Sequence, residues 1–190
     1  MDINLTLRLL TLAFIIIMRI YWFALTKVAE IKKPKTDNTP RKTEKISNIL
    51  ASIYLLINLL LIVIFPFKNI TVQILGFILV ILGFVECVSA RKTLDSNWTD
   101  SFEYQIKKKH ELITQGIYKY VRHPIYGGIL ILTNGALIVA GSYTVIIFFI
   151  GMLLVLETYA KREEILLTKH FGKKYIEYKK TTKKFIPFVY

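Results

Sequence analysis

The chain has 190 residues, of which 54% are hydrophobic, and its mean hydropathy of +0.47 is too high for an ordinary soluble domain. It carries 26 Lys and Arg against 13 Asp and Glu, but the basic residues alternate with apolar stretches and share no single face, which excludes a nucleic-acid-binding domain. The single cysteine, Cys87, excludes an intrachain disulfide framework and is expected to be a small buried hydrophobe. Composition therefore predicts one integral membrane domain over residues 1–190, with its charges in the loops.

The first half of the chain contains three apolar stretches long enough to cross a bilayer, which takes about 20 residues. We predict spans over about 4–26, 46–65 and 70–90, separated by a polar loop at 27–45 and a tight turn at 66–69. No basic segment with a small-residue cleavage site accompanies the first stretch, so it is expected to be a retained span.

Residues 124–160 form one apolar block that is too long for a single span. Gly141-Ser142 divides it into two predicted spans, 124–140 and 143–160, which form a tight helical hairpin. The chain then becomes basic and amphipathic, which predicts a C-terminal amphipathic helix with Gly172 as its C-cap. The predicted fold class is therefore all-α, with five transmembrane helices.

The basic residues also orient the five spans. The polar segments 27–45, 91–123 and 161–190 hold 23 of the 26 Lys and Arg residues, and with five spans all three segments fall on one side of the membrane. Because loops rich in Lys and Arg stay in the cytoplasm, we expect the N-terminus outside and the long loops and C-terminus in the cytoplasm.

A candidate binding site lies where the apolar block begins. Pro124 suits the first position of a helix, where no backbone donor is needed. The unpaired N–H groups of that helix N-terminus favour a carboxylate, and Arg122 and His123 strengthen the preference. The alternative is a proline-initiated helix with an arginine among the lipid headgroups.

Other site motifs are missing or have a simpler explanation. The three histidines, His110, His123 and His170, are too dispersed for metal-ligand spacing, so we predict no metal. The sequence contains neither a glycine-rich nucleotide loop nor a nucleophile elbow. Gly127-Gly128 lies inside a predicted span, where close helix packing explains it.

Four glutamates lie in or just after the spans. Glu86 and Glu157 are each near a predicted cytoplasmic helix end, where pairing with a nearby Lys or Arg is expected rather than chemistry. Glu163 and Glu164 lie beyond the hydrocarbon core and are either functional or a solvated pair. Tyr159 is four residues before Glu163 and shares its helix face, so both are expected to line one pocket above the fifth span.

Several separate motifs between residues 103 and 190 agree with one known family. They are the stretch 116–128 with Arg122-His123-Pro124, then Glu163-Glu164, Phe171-Gly172, Tyr175, Tyr178 and the terminal Ile186-Pro187-Phe188-Val189-Tyr190. In this order and at this spacing, the C-terminal half resembles the isoprenylcysteine carboxyl methyltransferases and the related phospholipid methyltransferases.

The resemblance implies that S-adenosylmethionine is bound on the cytoplasmic side by segments of about 103–126 and 159–190. The family's cofactor contacts correspond here to Glu103, His110, Glu111, Leu112, Ile113, Tyr118, His123, Pro124, Ile125, Tyr126 and Glu163. The family's substrate-contacting arginine corresponds to Tyr159, and a tyrosine cannot pair with a carboxylate as arginine does. Arg162 is the nearby replacement, so Tyr159 and Arg162 are the implied catalytic positions.

The implied reaction is methyl transfer to the α-carboxylate of a C-terminal prenylcysteine, or of a similar lipidic carboxylate, at the cytoplasmic membrane face. The implied partners are the lipid bilayer and a lipidic or prenylated substrate. Three alternatives remain: a phospholipid or lipid-amine N-methyltransferase, an NADPH-dependent sterol-type reductase, and a non-catalytic membrane lipid-binding protein. A carboxylate with a pKa of about 3.5 is already ionised at neutral pH, whereas an amine would first have to lose a proton.

Overall fold

A computed structural model describes residues 3–31, 69–97, 111–187 and 189 of the chain. We number its α-helices in chain order: α1 (Ile3–Ile31), α2 (Ile70–Leu94), α3 (Pro124–Ala140), α4 (Val145–Phe171) and α5 (Lys173–Thr181). Two short 3-10 turns, Asp95–Asn97 and Gly116–Lys119, and one parallel bridge between Val121 and Lys183 are the other regular features. The predicted all-α class is confirmed for the described part of the chain.

The predicted spans agree with these helices to different degrees. The predicted fourth span has the same bounds as α3, and both α2 and the Ile3–Leu25 part of α1 are long and apolar enough to cross a membrane. The predicted fifth span, 143–160, begins two residues before α4, which starts at Val145 and continues without a break to Phe171. The amphipathic helix predicted after this span is therefore the second half of α4 and not a separate helix. The second predicted span, 46–65, lies outside the described residues, so the count of five stays a prediction.

The structure corrects one helix boundary. Helix α1 continues to Ile31, so the loop predicted at 27–45 was placed too early. Lys27, Ala29 and Glu30 are good helix formers, and neither Gly nor Pro occurs in this stretch to end the helix. A change from apolar to charged side chains marks the edge of a membrane span, but it does not end a helix.

Helices α2 and α3 pack so closely that their backbones touch. Buried positions on α2 recur at alternating intervals of three and four residues, the spacing of a helix–helix seam: Gln73, Gly76, Val80, Gly83, Cys87 and Ala90. A Cβ atom built on Gly83 would lie 2.5 Å from the carbonyl oxygen of Gly128, and one on Gly76 would lie 2.9 Å from that of Gly135. Small residues allow this approach, so backbone contact at the glycines fixes α3 against α2.

Helices α1 and α2 begin at the same end of the bundle. Arg8, near the start of α1, donates a hydrogen bond of 3.2 Å to the carbonyl oxygen of Ala140. Gln73, near the start of α2, donates one of 3.1 Å to the carbonyl oxygen of Val139. Both bonds satisfy carbonyl groups that the last turn of α3 leaves unpaired. Consequently α1 and α2 run parallel to each other, and α3 runs antiparallel to both.

Glycines end α3 and α4 as predicted. Gly141 has a φ of +83°, and its N–H and that of Ser142 donate to carbonyl groups of the last turn of α3. Gly172 has a φ of +57° and ends α4. Side chains other than glycine rarely adopt such φ values, so these two glycines set the hairpin and the turn into α5.

After α5 the chain turns back as residues 182–187, which we call the C-terminal strap. Three backbone hydrogen bonds of 2.9 Å join the strap to residues 120–123. Phe185 of the strap is fully buried in a cluster with side chains of α3 and α4: Tyr126, Leu130, Leu156 and Ala160. A Cβ atom on Gly127 would overlap the carbonyl group of Phe185, so this glycine packs against the strap, whereas Gly128 packs against α2 and confirms the predicted close helix packing. The strap therefore holds the segment that leads into α3.

Candidate active site

Three of the predicted site residues meet where α3 begins. His123 is the N-cap of α3, and its Nδ1 atom lies 3.4 Å from Oε2 of Glu163 on α4. The hydroxyl of Tyr126, in the first turn of α3, donates a hydrogen bond of 3.2 Å to the same oxygen. The His123 side chain is 3% exposed, whereas that of Glu163 is 42% exposed. A buried imidazole therefore lies behind a carboxylate that remains accessible.

Glu164, the next residue, has a different environment. Its carboxylate accepts hydrogen bonds from Nε of Arg122 at 2.8 Å and pairs with Nζ of Lys179 at 2.7 Å. Nε2 of His123 lies 3.4 Å from the same carboxylate. The Glu164 side chain is only 7% exposed, so the alternative of a solvated Glu163–Glu164 pair is wrong for Glu164.

We call Arg122, His123, Glu163, Glu164 and Lys179 the ionic cluster. Nη1 of Arg122 also donates to the carbonyl oxygens of Thr182 and Lys179. One guanidinium thus joins the segment before α3 to α4, α5 and the C-terminal strap. The planar, multidentate guanidinium suits this role better than a lysine ammonium would.

The charges of the ionic cluster support one another. Burial alone would raise the pKa of Glu164, but interactions with His123, Lys179 and Arg122 outweigh it and hold this pKa below its usual range. Burial alone would lower the pKa of His123, but the carboxylates of Glu163 and Glu164 outweigh it and raise this pKa above its ordinary value. Glu164 is therefore ionised at neutral pH, and the protonated form of His123 is favoured.

Three other predicted contacts surround this entry to α3. Pro124 is buried in the first turn, Ile125 is half-buried, and Tyr118 is buried in the preceding 3-10 turn. The carbonyl oxygen of Tyr118 accepts a hydrogen bond of 2.6 Å from the hydroxyl of Tyr178 on α5. These residues shape the backbone around His123.

The predicted contacts at 111–113 lie at a second place. Glu111, Leu112 and Thr114 line an open groove of about 750 Å³ together with residues at the end of α4 and on α5: Phe171, Lys173, Lys174 and Glu177. Ile113 is half-buried beside them. Phe171 follows Glu163 by eight helical residues, a rise of about 12 Å. Glu103 and His110 lie outside the described residues.

The two implied catalytic positions differ in their surroundings. Tyr159 is partly buried against the cluster that contains Tyr126 and Phe185, one helical turn before Glu163 on the same face. Arg162 is exposed and forms no ion pair within the ranges that the structure describes. Tyr159 thus lies towards the His123–Glu163 contact, and Arg162 lies on the outer surface of α4.

The two remaining glutamates also differ. Glu157 pairs with Lys184 of the strap at 2.6 Å and with Lys161 at 3.5 Å, which confirms the expected interfacial pairing. Glu86 lies against Gly127, and Oε1 of Glu86 has no hydrogen-bond partner among the described residues. The expected pairing of Glu86 is therefore not seen in this part of the chain.

The chemistry of the ionic cluster fits a ligand with an ammonium and a carboxylate. An accessible carboxylate attracts an ammonium, and an imidazolium at a helix N-terminus attracts a carboxylate. The described ranges hold no group of three or more His, Cys, Asp or Glu side chains arranged to bind a metal ion.

Sequence reasoning missed the structural residues of this site. Lys179, Thr182 and Lys184 come from the basic tail, where lysines are usually solvated, and nothing in their spacing marks them as partners of α4. The sequence feature that could have indicated these partners is the pair Glu163-Glu164 itself. Neighbouring residues on a helix point about 100° apart, so two adjacent glutamates are expected to have different environments.

Comparison with known proteins identifies the relatives of this chain. The model of the phospholipid methyltransferase family matches residues 71–174, more than half of the chain. Protein-S-isoprenylcysteine O-methyltransferase B of Arabidopsis thaliana is 31% identical over 117 residues, which cover 60% of this chain and 58% of that protein. Protein-S-isoprenylcysteine O-methyltransferase of Homo sapiens is 32% identical over 133 residues, which cover 64% of this chain and 44% of that protein. The matched region thus spans less than two thirds of the length of these relatives.

A solved structure shares the fold. The eukaryotic intramembrane Ras methyltransferase, an isoprenylcysteine carboxyl methyltransferase, superimposes with a TM-score of 0.73 at 20% sequence identity, covering 98% of this chain and 68% of that one. The similarity of architecture therefore extends well beyond residues 103–190, where the sequence motifs lie.

Proposed function

The chain belongs to the phospholipid methyltransferase family, and from that premise we propose that it is a membrane enzyme that uses S-adenosylmethionine to methylate the α-carboxylate of a prenylcysteine or a similar lipidic carboxylate. The observation that carries the proposal is the meeting of His123 and Glu163, from two different helices, at 3.4 Å. Both belong to the motifs that the resemblance assigns to the cofactor.

The residues of the ionic cluster would hold the amino-acid part of the cofactor. S-adenosylmethionine supplies an electrophilic methyl group on a sulfonium. Glu163 would bind the cofactor's ammonium with its accessible carboxylate, and a protonated His123 would bind the carboxylate at the N-terminus of α3. Glu164 would not touch the cofactor, because Arg122 and Lys179 already occupy it.

The chain then has to position the acceptor and exclude water. An α-carboxylate is ionised at neutral pH, so no general base is required. Tyr126, Tyr159 and Phe185 form an apolar wall beside the His123–Glu163 contact. Such a wall favours a dehydrated carboxylate, which is the more reactive nucleophile.

The proposed topology places this site at the cytoplasmic face, with the N-terminus outside. The parallel course of α1 and α2 supports it, because two parallel membrane helices joined in sequence require one further crossing between them. In a Cys87→Ala background, single cysteines at positions 38 and 180 should be labelled only from the cytoplasmic side, and one at position 69 only from outside. Labelling of positions 38 and 69 from the same side would contradict five spans.

The second candidate is methylation of a lipid amine, which the family's description as phospholipid methyltransferases favours. Tyr159 at the position of a substrate-contacting arginine is also compatible with an uncharged acceptor. The deciding experiment incubates the purified protein in detergent with labelled S-adenosylmethionine and a panel of prenylcysteine and amine lipids. We expect base-labile label, as in a methyl ester, on the prenylcysteines; base-stable label on the amines would favour the second candidate. NADPH binding without methyl transfer would indicate a reductase, and no binding of either would indicate a lipid-binding protein.

A further inference from the structure

Helix α5 carries two buried tyrosines whose hydroxyl groups are in different states. Tyr175 is 1% exposed and Tyr178 is 9% exposed. The Tyr178 hydroxyl donates to the carbonyl oxygen of Tyr118 at 2.6 Å and lies 3.4 Å from that of Val121. Among the residues that the structure describes, the Tyr175 hydroxyl has no hydrogen-bond partner. A buried hydroxyl without a partner destabilises a protein, so Tyr175 requires an explanation that Tyr178 does not.

The surroundings of Tyr175 are those of the ionic cluster. Tyr175 lies one helical turn before Lys179, which reaches Glu164 at 2.7 Å. Burial, followed by the charges of Glu164 and Glu163, raises the pKa of Tyr175 well above its ordinary value, so its hydroxyl keeps its proton and can donate. A protonated hydroxyl of this kind can donate a hydrogen bond to a carboxylate oxygen.

His123 offers a second donor in the same region. Nε2 of His123 lies 3.4 Å from Oε1 of Glu164 but makes no hydrogen bond among the described residues. Tyr175 on α5 and His123 at the start of α3 thus offer one donor each, and a carboxylate has two oxygens that can accept them.

We propose that the Tyr175 hydroxyl binds the α-carboxylate of S-adenosylmethionine together with His123, while Glu163 binds the ammonium. This assignment rests on the proposed function and adds α5 to the cofactor site. It also separates the two tyrosines: Tyr175 is a binding residue, and Tyr178 ties α5 to the segment before α3.

The test compares two ligands that differ only in the carboxylate. Calorimetry in detergent measures the binding of S-adenosylmethionine and of decarboxylated S-adenosylmethionine to the full-length wild-type protein, to Tyr175→Phe and to Tyr178→Phe. We expect Tyr175→Phe to bind S-adenosylmethionine about tenfold more weakly and to bind the decarboxylated compound as the wild type does. Tyr178→Phe should retain the wild-type ratio of the two affinities.

Thermal unfolding without ligand gives an independent readout. Tyr175→Phe removes an unsatisfied hydroxyl and should leave the melting temperature unchanged or raised, whereas Tyr178→Phe breaks a hydrogen bond and should lower it. Equal affinities of Tyr175→Phe and wild type for S-adenosylmethionine, or an equal loss for both ligands, would overturn the inference. So would a melting temperature as low as that of Tyr178→Phe, because the hydroxyl would then be bonded within the chain. Failure of the wild type to bind either compound would overturn the proposed function, and this assignment with it.

Discussion

Helix α3 is held in two different ways along its length. Over most of its course it lies against α2 through glycines, with a would-be Cβ atom on Gly83 only 2.5 Å from the Gly128 carbonyl oxygen. At its N-terminal end it is held by the ionic cluster, in which Arg122 and Lys179 neutralise the buried Glu164. The first contact is apolar and independent of protonation, whereas the second depends on charge.

The two contacts differ in the space and the charged groups that they leave available to a ligand. An interface of backbone against backbone leaves no space for a ligand, so it can only position the helices. The ionic cluster contains one glutamate that is buried and paired with Arg122 and Lys179, Glu164, and one that remains accessible, Glu163. Of these adjacent residues, Glu164 is placed to stabilise the fold, and Glu163 is the one that we propose for binding.

The largest effect is expected from the loss of Glu164. The substitution Glu164→Ala leaves Arg122 and Lys179 without their buried counter-charge. Breaking a buried pair lowers the free energy of unfolding by about 3–5 kcal/mol. Chemical unfolding in detergent, followed by circular dichroism, measures it. The matched control is Glu163→Ala, which removes the more exposed neighbour and should cost much less. If both variants were equally unstable, the division between the two glutamates would be wrong.

The next effect is expected from the glycine interface. Gly83→Ala introduces a Cβ atom that meets the backbone of α3 rather than a movable side chain, and such overpacking costs about 1–3 kcal/mol. Gly151→Ala on α4 is the control, because a Cβ atom there meets nothing within 4 Å and alanine favours the helix. The melting temperature should therefore fall for Gly83→Ala and rise slightly for Gly151→Ala. An unchanged melting temperature for Gly83→Ala would mean that α2 and α3 do not touch as closely as described.

A smaller effect is expected where the strap meets α4. Lys184→Gln removes the partly buried pair with Glu157, whose side chains are 15% and 17% exposed, and should cost about 1 kcal/mol. Lys180→Gln removes the pair with Glu177, whose side chains are 65% and 69% exposed, and should cost nothing measurable. Equal free energies of unfolding for the two variants would show that the pair between Lys184 and Glu157 does not stabilise the strap.

The smallest effect is a pH dependence of the ionic cluster. The pKa of His123 is raised in the folded protein above its ordinary 6.5, so its contribution to stability is complete below about pH 6.5 and is lost as pH rises through the higher folded value. The pKa of Glu164 is lowered below its ordinary 4.5, so its contribution is present above about pH 4.5 and is lost in acid. Stability should therefore be greatest between these values. The melting temperature of His123→Asn should lack the decline that the wild type shows at alkaline pH. If the variant showed the same decline, a group other than His123 would be its cause.

The sequence predicted best the features that depend on local chemistry. Pro124 and Gly141 gave the bounds of α3 because each acts on its own backbone through φ and the missing N–H. The seam on α2 escaped prediction, since glycines inside a uniformly apolar run show no contrast between faces. The partners of Glu164 also escaped, because Arg122 and Lys179 come from separate segments and meet it only when α5 folds back onto α4. The meeting of His123 with Glu163 was expected from the family resemblance alone.

The accessible carboxylate of Glu163 is, in our proposal, part of a site for S-adenosylmethionine. Isothermal titration calorimetry in detergent with wild type, Glu163→Gln and Asp95→Asn tests it most directly, because both substitutions remove one negative charge and Asp95 is exposed at the end of α2. We predict binding by the wild type and by Asp95→Asn, and an affinity about tenfold lower for Glu163→Gln, the loss of one charge-assisted hydrogen bond. Equal affinities of Glu163→Gln and wild type would contradict the account.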